Sequence, residues 1–369
     1  MFEVILIYFL CGSLCLYFLF TIYFTTGLHR LKTYKRKEYL PTISIIVAAR
    51  NEEANLQLLL QNLAEQDYPK EKIEIMIVND RSTDGSWQII NNFSKLYPFV
   101  KGIQIDEKNK DMTPKKHALT CGINNTSGEI ILSTDGDCTV PKGWARSMVR
   151  LFDDNTGIVV GRSSIDTSNK SFFIEYQSLD FLGIMAANAG VVGWKKGWSG
   201  SGQNIAYKRK AFEKIGGFEP VAKALSGDDM YLVQSISRHY DIHFNIDHKS
   251  FIYTAPAPSI KAFINQRIRW ASNSRSLWET NLVFLIFLIT AFISNNILFI
   301  AFWTEELLSI LLFLFFIKII CDALVLYTGS VKLNVSFKKI HFVVWSILQP
   351  IYIPLTGLLG LLGWYRWKG

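Results

Sequence analysis

Several short polar stretches carry the residue types that could do chemistry. Asp135-Gly136-Asp137 follows the apolar run Ile130 to Ser133. Two carboxylates on a tight turn at the carboxyl edge of a sheet are hard oxygen ligands that suit Mg²⁺ or Mn²⁺ bound to a diphosphate. A plain turn has the same composition, because Asp and Gly are favoured there on conformational grounds. Val78-Asn79-Asp80 ends another apolar run and opens into Arg81-Ser82-Thr83-Asp84-Gly85, where Ser82 or Asp84 could also cap a helix. Ala49-Arg50-Asn51-Glu52-Glu53 follows a third run. Three polar loops at one sheet edge point to a site more than three unrelated turns would.

Two further stretches lie downstream. Asp228-Asp229 opens a helical run, where the helix dipole alone favours a carboxylate. In Gln266-Arg267-Ile268-Arg269-Trp270, helical spacing puts Gln266, Arg269 and Trp270 on one face. A guanidinium there can reach a phosphate while the indole offers a platform to a sugar or lipid. An interfacial helix anchored by Trp and Arg has the same sequence.

The elements that must position these residues are legible from periodicity. Ile43 to Ala48, Ile73 to Val78 and Ile130 to Ser133 read as buried strands, with Ile103 to Ile105 a further short one. Asn55 to Gln66 and Ser86 to Tyr97 read as crossover helices, and Pro114 to Asn124 as a helix with Pro in its first turn. Short β-branched runs alternating with amphipathic segments from Ile43 to Thr254 are the pattern of a parallel sheet wrapped by helices, an α/β fold.

A formal charge of +8 accompanies a mean hydropathy of +0.18, a combination ordinary soluble enzymes seldom show. Val4 to Thr25 is almost uncharged and long enough to span a bilayer, and Glu3 with the length of the run favours a retained anchor over a cleaved signal peptide. His29, Arg30, Lys32, Lys35, Arg36 and Lys37 follow, and the positive-inside rule then places the next domain in the cytoplasm, at a plasma or inner membrane. Further apolar runs occupy 281–303, 307–327 and 341–363. Glu305 and Glu306 separate the first two, while Lys332, Lys338 and Lys339 precede the third. Arg366 and Lys368 would fall outside, and Pro350 and Pro354 interrupt the last run, which could instead be re-entrant or interfacial. Basic residues gathered beside apolar runs suit anionic lipid headgroups and not nucleic acid. Cys11, Cys15, Cys121, Cys138 and Cys321 form neither a CxxC pair nor a Cys/His cluster, so neither a disulfide framework nor a zinc site is implied.

The expected organisation is an anchor at 1–28, a cytoplasmic domain at 29–255, an interfacial helix at 256–279 and about three membrane helices at 280–369. Taken in order over roughly Thr42 to Leu277, the motifs resemble a family 2 glycosyltransferase with the GT-A fold, a Rossmann-like mixed sheet that binds nucleotide-diphospho-sugars. The Gln-x-x-Arg-Trp pattern is similar to that of membrane-integrated members such as cellulose, chitin and hyaluronan synthases and ceramide glucosyltransferases.

The resemblance implies a nucleotide-sugar donor, UDP-linked first, with Mg²⁺ or Mn²⁺. It implies that Ala49, Asn51 and Glu52 begin the nucleotide pocket and that Asp80 contacts base or ribose. It puts Lys116, within Lys115-Lys116-His117-Ala118-Leu119, beside the donor. Asp135 and Asp137 would hold diphosphate and metal, and Asp229 would be the base. Gln266, Arg269 and Trp270 would complete the donor and acceptor cleft, which Gly200 to Tyr207 and Gly216-Gly217-Phe218 also line. The sequence departs from the pattern in having Asp228 where many relatives have Glu, and in lacking a recognisable gating-loop segment. Four membrane segments are also few for a polymer-conducting channel. The expected reaction is therefore inverting transfer of a hexose or N-acetylhexosamine to a membrane-associated lipid, with a processive or short-chain polysaccharide synthase as the alternative. A catalytically dead, nucleotide-binding membrane scaffold is the reading from another class.

Overall fold

The computed structural model describes residues 2–32, 39–297 and 307–365. Lys35, Arg36, Lys37, residues 298–303, Glu305, Glu306, Arg366 and Lys368, on which parts of the expected topology depend, lie outside the described residues. The chain divides into an α/β unit, Leu31–Asp166 with Val192–Ala255, and a helical unit, Met1–Arg30 with Thr167–Val191 and Pro256–Gly369.

The α/β unit is built on ten strands: β1 (Ile43–Ala49), β2 (Ile73–Asp80), β3 (Val100–Ile105), β4 (Ile130–Asp135), β5 (Cys138–Thr139), β6 (Thr156–Gly161), β7 (Ser163–Ile165), β8 (Ile205–Lys208), β9 (Asp241–Asn245) and β10 (Ile252–Thr254). The main sheet runs β3-β2-β1-β4-β8-β6-β9, and a small one runs β5-β10-β7. Residues alternate between the two faces of a strand, so a strand covered on both sides must be apolar throughout. β1 meets that demand. Ile43, Ile45 and Val47 join the core formed with Leu56, Leu59, Leu60 and Leu63 of the helix Glu53–Ala64. Ile46 points the other way, toward the helix Pro114–Asn124, where a Cβ added at Gly122 would lie 2.7 Å from Ile46 Cγ2.

The expected parallel arrangement holds for β3, β2, β1 and β4. β8 runs antiparallel to both β4 and β6, which makes the sheet mixed, as the family resemblance implied. Its four residues, Ile205 to Lys208, are all buried, and so short a run carries no sign of its direction.

The helical unit contains Phe2–Arg30, most of Phe172–Gly193, and Ile260–Ala271, Leu277–Thr280, Leu282–Asn295, Leu308–Leu333 and Lys339–Leu362. Val4–Arg30, Leu308–Leu333 and Lys339–Leu362 are each long and apolar enough to cross a membrane. The last continues as one helix through Pro350 and Pro354. Leu282–Asn295, the helix described within the run expected at 281–303, has 14 residues, and 298–303 of that run lie outside the described residues.

Charged groups inside this unit are paired, as low dielectric surroundings require. Lys318 Nζ lies 2.7 Å from Asp322 Oδ2, while Tyr17 donates to Asp322 Oδ1 at 2.6 Å. On Phe172–Gly193, the Asp180 carboxylate accepts from Arg267 Nε at 2.8 Å, Trp345 Nε1 at 3.1 Å and Tyr352 Oη at 3.2 Å. One carboxylate thus ties together three helices of the unit.

Candidate active site

The strand registers put three polar loops on one edge of the main sheet. Ala49, last residue of β1, stands opposite Asn79 of β2, and Ala48 stands opposite Asp135 of β4, all in parallel. Each chain therefore leaves the sheet on the same side, at the carboxyl ends where open α/β folds take ligands.

Two of these loops are turned by residues in the left-handed region, Asn51 at φ 54° and Arg81 at φ 53°. Asn tolerates that conformation and Arg does so less readily, so the turn after β2 stores some backbone strain. The loops are cross-linked: Asn51 N–H donates to Ser82 Oγ at 3.0 Å, and Thr83 N–H donates to Asn51 Oδ1 at 2.8 Å. Asp80 is buried, and its carboxylate receives Arg81 Nε at 2.8 Å and Nη2 at 3.1 Å. An open cavity of about 420 Å³ adjoins this loop, lined in part by Arg81, Asp84, Trp87 and Asp106.

The carboxylates gather around the end of β4. A Cβ added at Gly136 would lie 2.9 Å from Glu52 Cγ, so glycine there lets the β4 turn close over the Glu52 side chain. Asp137 Oδ2 accepts from Thr254 Oγ1 at 3.2 Å, and Thr254 in turn accepts from Gln203 Nε2 at 2.9 Å. Enclosure by protein, then the neighbouring Asp135 and Glu52 carboxylates, push the Asp137 carboxyl up to about 6.

Asp228 and Asp229 open the helix Asp228–Ile236 behind Gly227, whose φ of 82° places the preceding turn. Asp229 is fixed by backbone donors: Gly202 N–H reaches its Oδ2 at 3.1 Å and Met230 N–H its Oδ1 at 2.8 Å. Enclosure first, and the adjacent Asp228 second, push its carboxyl up to about 6, against a downward pull from Lys115. A carboxylate held near neutrality by its surroundings is suited to accept a proton.

Lys115 connects the two acidic groups. Its Nζ lies 2.9 Å from Asp135 Oδ1 and 3.6 Å from Asp228 Oδ2. Burial acts to lower this ammonium, but Asp135 and Asp228 outweigh it and hold it above the ordinary lysine value. Its neighbour Lys116 is buried, and that burial lowers its ammonium; its Nζ donates to Ala224 O.

The α/β unit thus contains Ala49, Asn51, Glu52, Asp80, Lys116, Asp135, Asp137 and Asp229. Gln266, Arg269 and Trp270 belong to the helical unit, on the helix Ile260–Ala271. There Gln266 Oε1 accepts from Arg267 Nη1 at 2.7 Å, and the Arg267 guanidinium lies 4.1 Å from the Trp270 ring centroid. Thr254 enters the site through the small sheet, which pairs β10 with β5 beside Asp137, and Gln203, from the loop before β8, reaches it by donating to Thr254. No local spacing announces that pairing.

Among the described residues, no three Asp, Glu, His or Cys side chains converge as a ready-made metal cage. Mg²⁺ and Mn²⁺ do not demand one, since one or two carboxylates with phosphates and water suffice. Asp135 ends β4 and Asp137 follows it by two residues, with the Glu52 side chain packed against the Gly136 turn between them, so hard carboxylate oxygens gather there in a way that fits such a cation.

Comparison with known proteins agrees with this geometry. Residues 44–216 match the family model for Glycosyl transferase family 2. The chain is 28% identical over 239 residues to the probable glycosyltransferase YdaM of Bacillus subtilis, covering 64% of this chain and 56% of that protein. It is 32% identical over 185 residues to a beta-monoglucosyldiacylglycerol synthase of Nostoc sp., covering 48% of this chain and 38% of that one. The chain thus spans about half or less of these two relatives. Among solved structures it is similar to the mannosyltransferase PcManGT of Pyrobaculum calidifontis in complex with GDP-Man and Mn²⁺, at a TM-score of 0.62 and 18% identity over 97% of each chain. The match over residues 44–216 makes that segment similar to family 2 glycosyltransferases, and the shared fold gives the α/β unit a GT-A-like architecture, carried in one chain with long apolar helices.

Proposed function

We propose that the chain is an inverting glycosyltransferase that moves a hexose or N-acetylhexosamine from a nucleotide sugar, a UDP-sugar first, to a membrane-associated lipid acceptor. One observation carries the reading: the Asp135-Gly136-Asp137 turn and the backbone-held Asp229 share one edge of the α/β unit, bridged through Lys115 to Asp228. Asp229 takes the proton of an acceptor hydroxyl as that oxygen forms its bond to the anomeric carbon. The bond from that carbon to the diphosphate oxygen breaks on the opposite face, and the nucleoside diphosphate leaves with the electron pair. Two backbone N–H groups aim the Asp229 carboxylate, so one carboxylate serves the single displacement. Asp135 and Asp137 would hold the divalent cation, which when bound offsets the charge growing on the leaving diphosphate.

A lipid acceptor is favoured by the apolar helices joined to the α/β unit and by a relative whose name describes a glucosylated diacylglycerol. His29 and Arg30 in the last turn of the first apolar helix, with Lys32 just beyond it, support a cytoplasmic α/β unit. The test is Asp229→Asn. Turnover falls by about 10²- to 10⁴-fold, while binding of the nucleoside diphosphate stays near wild type. Equal loss of both, in a folded variant, counts against Asp229 as the base.

A further inference from the structure

Lys115 touches two carboxylates that the proposed reaction uses for different purposes, one for the donor and one beside the base. We propose that Lys115 is a positioning residue, the resident counter-cation of the donor-free site, and that loading the divalent cation moves its ammonium off Asp135. The inference rests on the donor reading given above.

The geometry makes the competition direct. At 2.9 Å from Asp135 Oδ1, the ammonium occupies the approach to one of the two oxygens through which Asp135 would hold the cation. Two positive centres cannot share that oxygen at contact distance without repulsion. The ammonium has somewhere to go, because a diphosphate arriving with the cation brings new anionic oxygens to the same edge.

The lysine stem, by contrast, is held in place. Pro114 opens its helix, Thr113 N–H donates to Ala222 O at 2.8 Å, and Thr113 Oγ1 donates to Ala224 O at 3.2 Å. Lys116 also donates to Ala224 O. These bonds fasten the start of the helix Pro114–Asn124 to the loop leading into Asp228. Movement is thereby confined to the Lys115 side chain, and its departure from Asp135 also changes the charge facing Asp228 and Asp229. Donor arrival is in this way linked to the state of the base.

The predicted signature of this role has two opposite signs. In Lys115→Met the stem remains and the charge goes, so Mn²⁺ binding without nucleotide, read by electron paramagnetic resonance on the full chain in detergent, becomes tighter by about tenfold or more, the order expected for a lost charge-assisted hydrogen bond. Binding of UDP or GDP at saturating Mn²⁺, read by calorimetry, becomes about tenfold weaker. Lys115→Arg keeps the cation and stays near wild type in the Mn²⁺ arm. Unchanged or weaker Mn²⁺ binding by Lys115→Met, in a protein that melts like wild type, overturns the inference alone. A wild-type chain that binds neither Mn²⁺ nor a nucleoside diphosphate overturns it together with the donor reading.

Discussion

Replacing the buried Asp180–Arg267 pair, singly and together, gives the sharpest stability test. Both side chains are about 95% enclosed, with relative exposures of 5% and 4%. The guanidinium lies 4.5 Å from the Phe263 ring centroid and 4.1 Å from that of Trp270, so it contributes packing as well as charge. Arg267→Met leaves Asp180 with the neutral donors Trp345 and Tyr352 alone. An uncompensated buried charge costs about 3–5 kcal/mol, and Asp180→Asn, which strands the guanidinium, costs a similar amount.

The double replacement removes both charges and leaves an amide oxygen for the indole or the phenol. Its loss is about 1–2 kcal/mol, well below the sum of the singles. Thermal unfolding in detergent reads this as a midpoint drop of roughly 4–6 °C for each single, with most of it recovered in the double. Additive losses would show that the two side chains do not act as a pair, and would refute the reasoning.

Two further outcomes follow from the α/β unit. Asp229 is pushed up to about 6 in the donor-free site and must be ionised to accept a proton, so kcat/KM is flat above that pH and falls about tenfold per unit below it; a flat kcat/KM profile from pH 5 to 7 contradicts the assignment. A Cβ at Gly128 would meet Ile43 C and Ser44 N at 2.5 Å, both rigid backbone of β1, so Gly128→Ala destabilises by about 1–3 kcal/mol. Gly202→Ala, whose nearest neighbour would be Asp229 Cβ at 3.6 Å, should melt like wild type, and equal midpoints for the two variants would count against this account.

Much of this arrangement was legible in the residues because burial on both faces demands apolar strands. Ile43 to Ala48, Ile73 to Val78 and Ile130 to Ser133 fall within β1, β2 and β4, and the carboxylates stand at or just beyond the strand ends. The edge strand β3 showed only its last three residues, because the exposed Lys101 and the glycine at 102 separate Val100 from the rest of the run. Phe172–Gly193 gave no signal. It is apolar on nearly every side, with Asp180 satisfied inside, so no amphipathic period marks it. The small sheet could not be read either, since β5, β7 and β10 hold two or three residues each and depend on long-range pairing.

Within the site, the contacts of the lysine pair were not legible in the motif. The resemblance puts Lys116 beside the donor, and in the structure Lys115 lies on Asp135 and Lys116 on Ala224 O. Successive helical residues point about 100° apart, so which lysine faces the carboxylates depends on how the helix is docked. Gly122 against Ile46 sets that docking, and only tertiary packing reveals it.

The most direct test supplies the purified chain, embedded in lipid bilayers with Mn²⁺, with radiolabelled UDP-sugars and then GDP-sugars, followed by organic extraction of the products. The account predicts label in a lipid-soluble product of one added sugar, lost in Asp229→Asn. Label that stays on the nucleotide with every donor and lipid supplied, or that enters only a polymer, contradicts it.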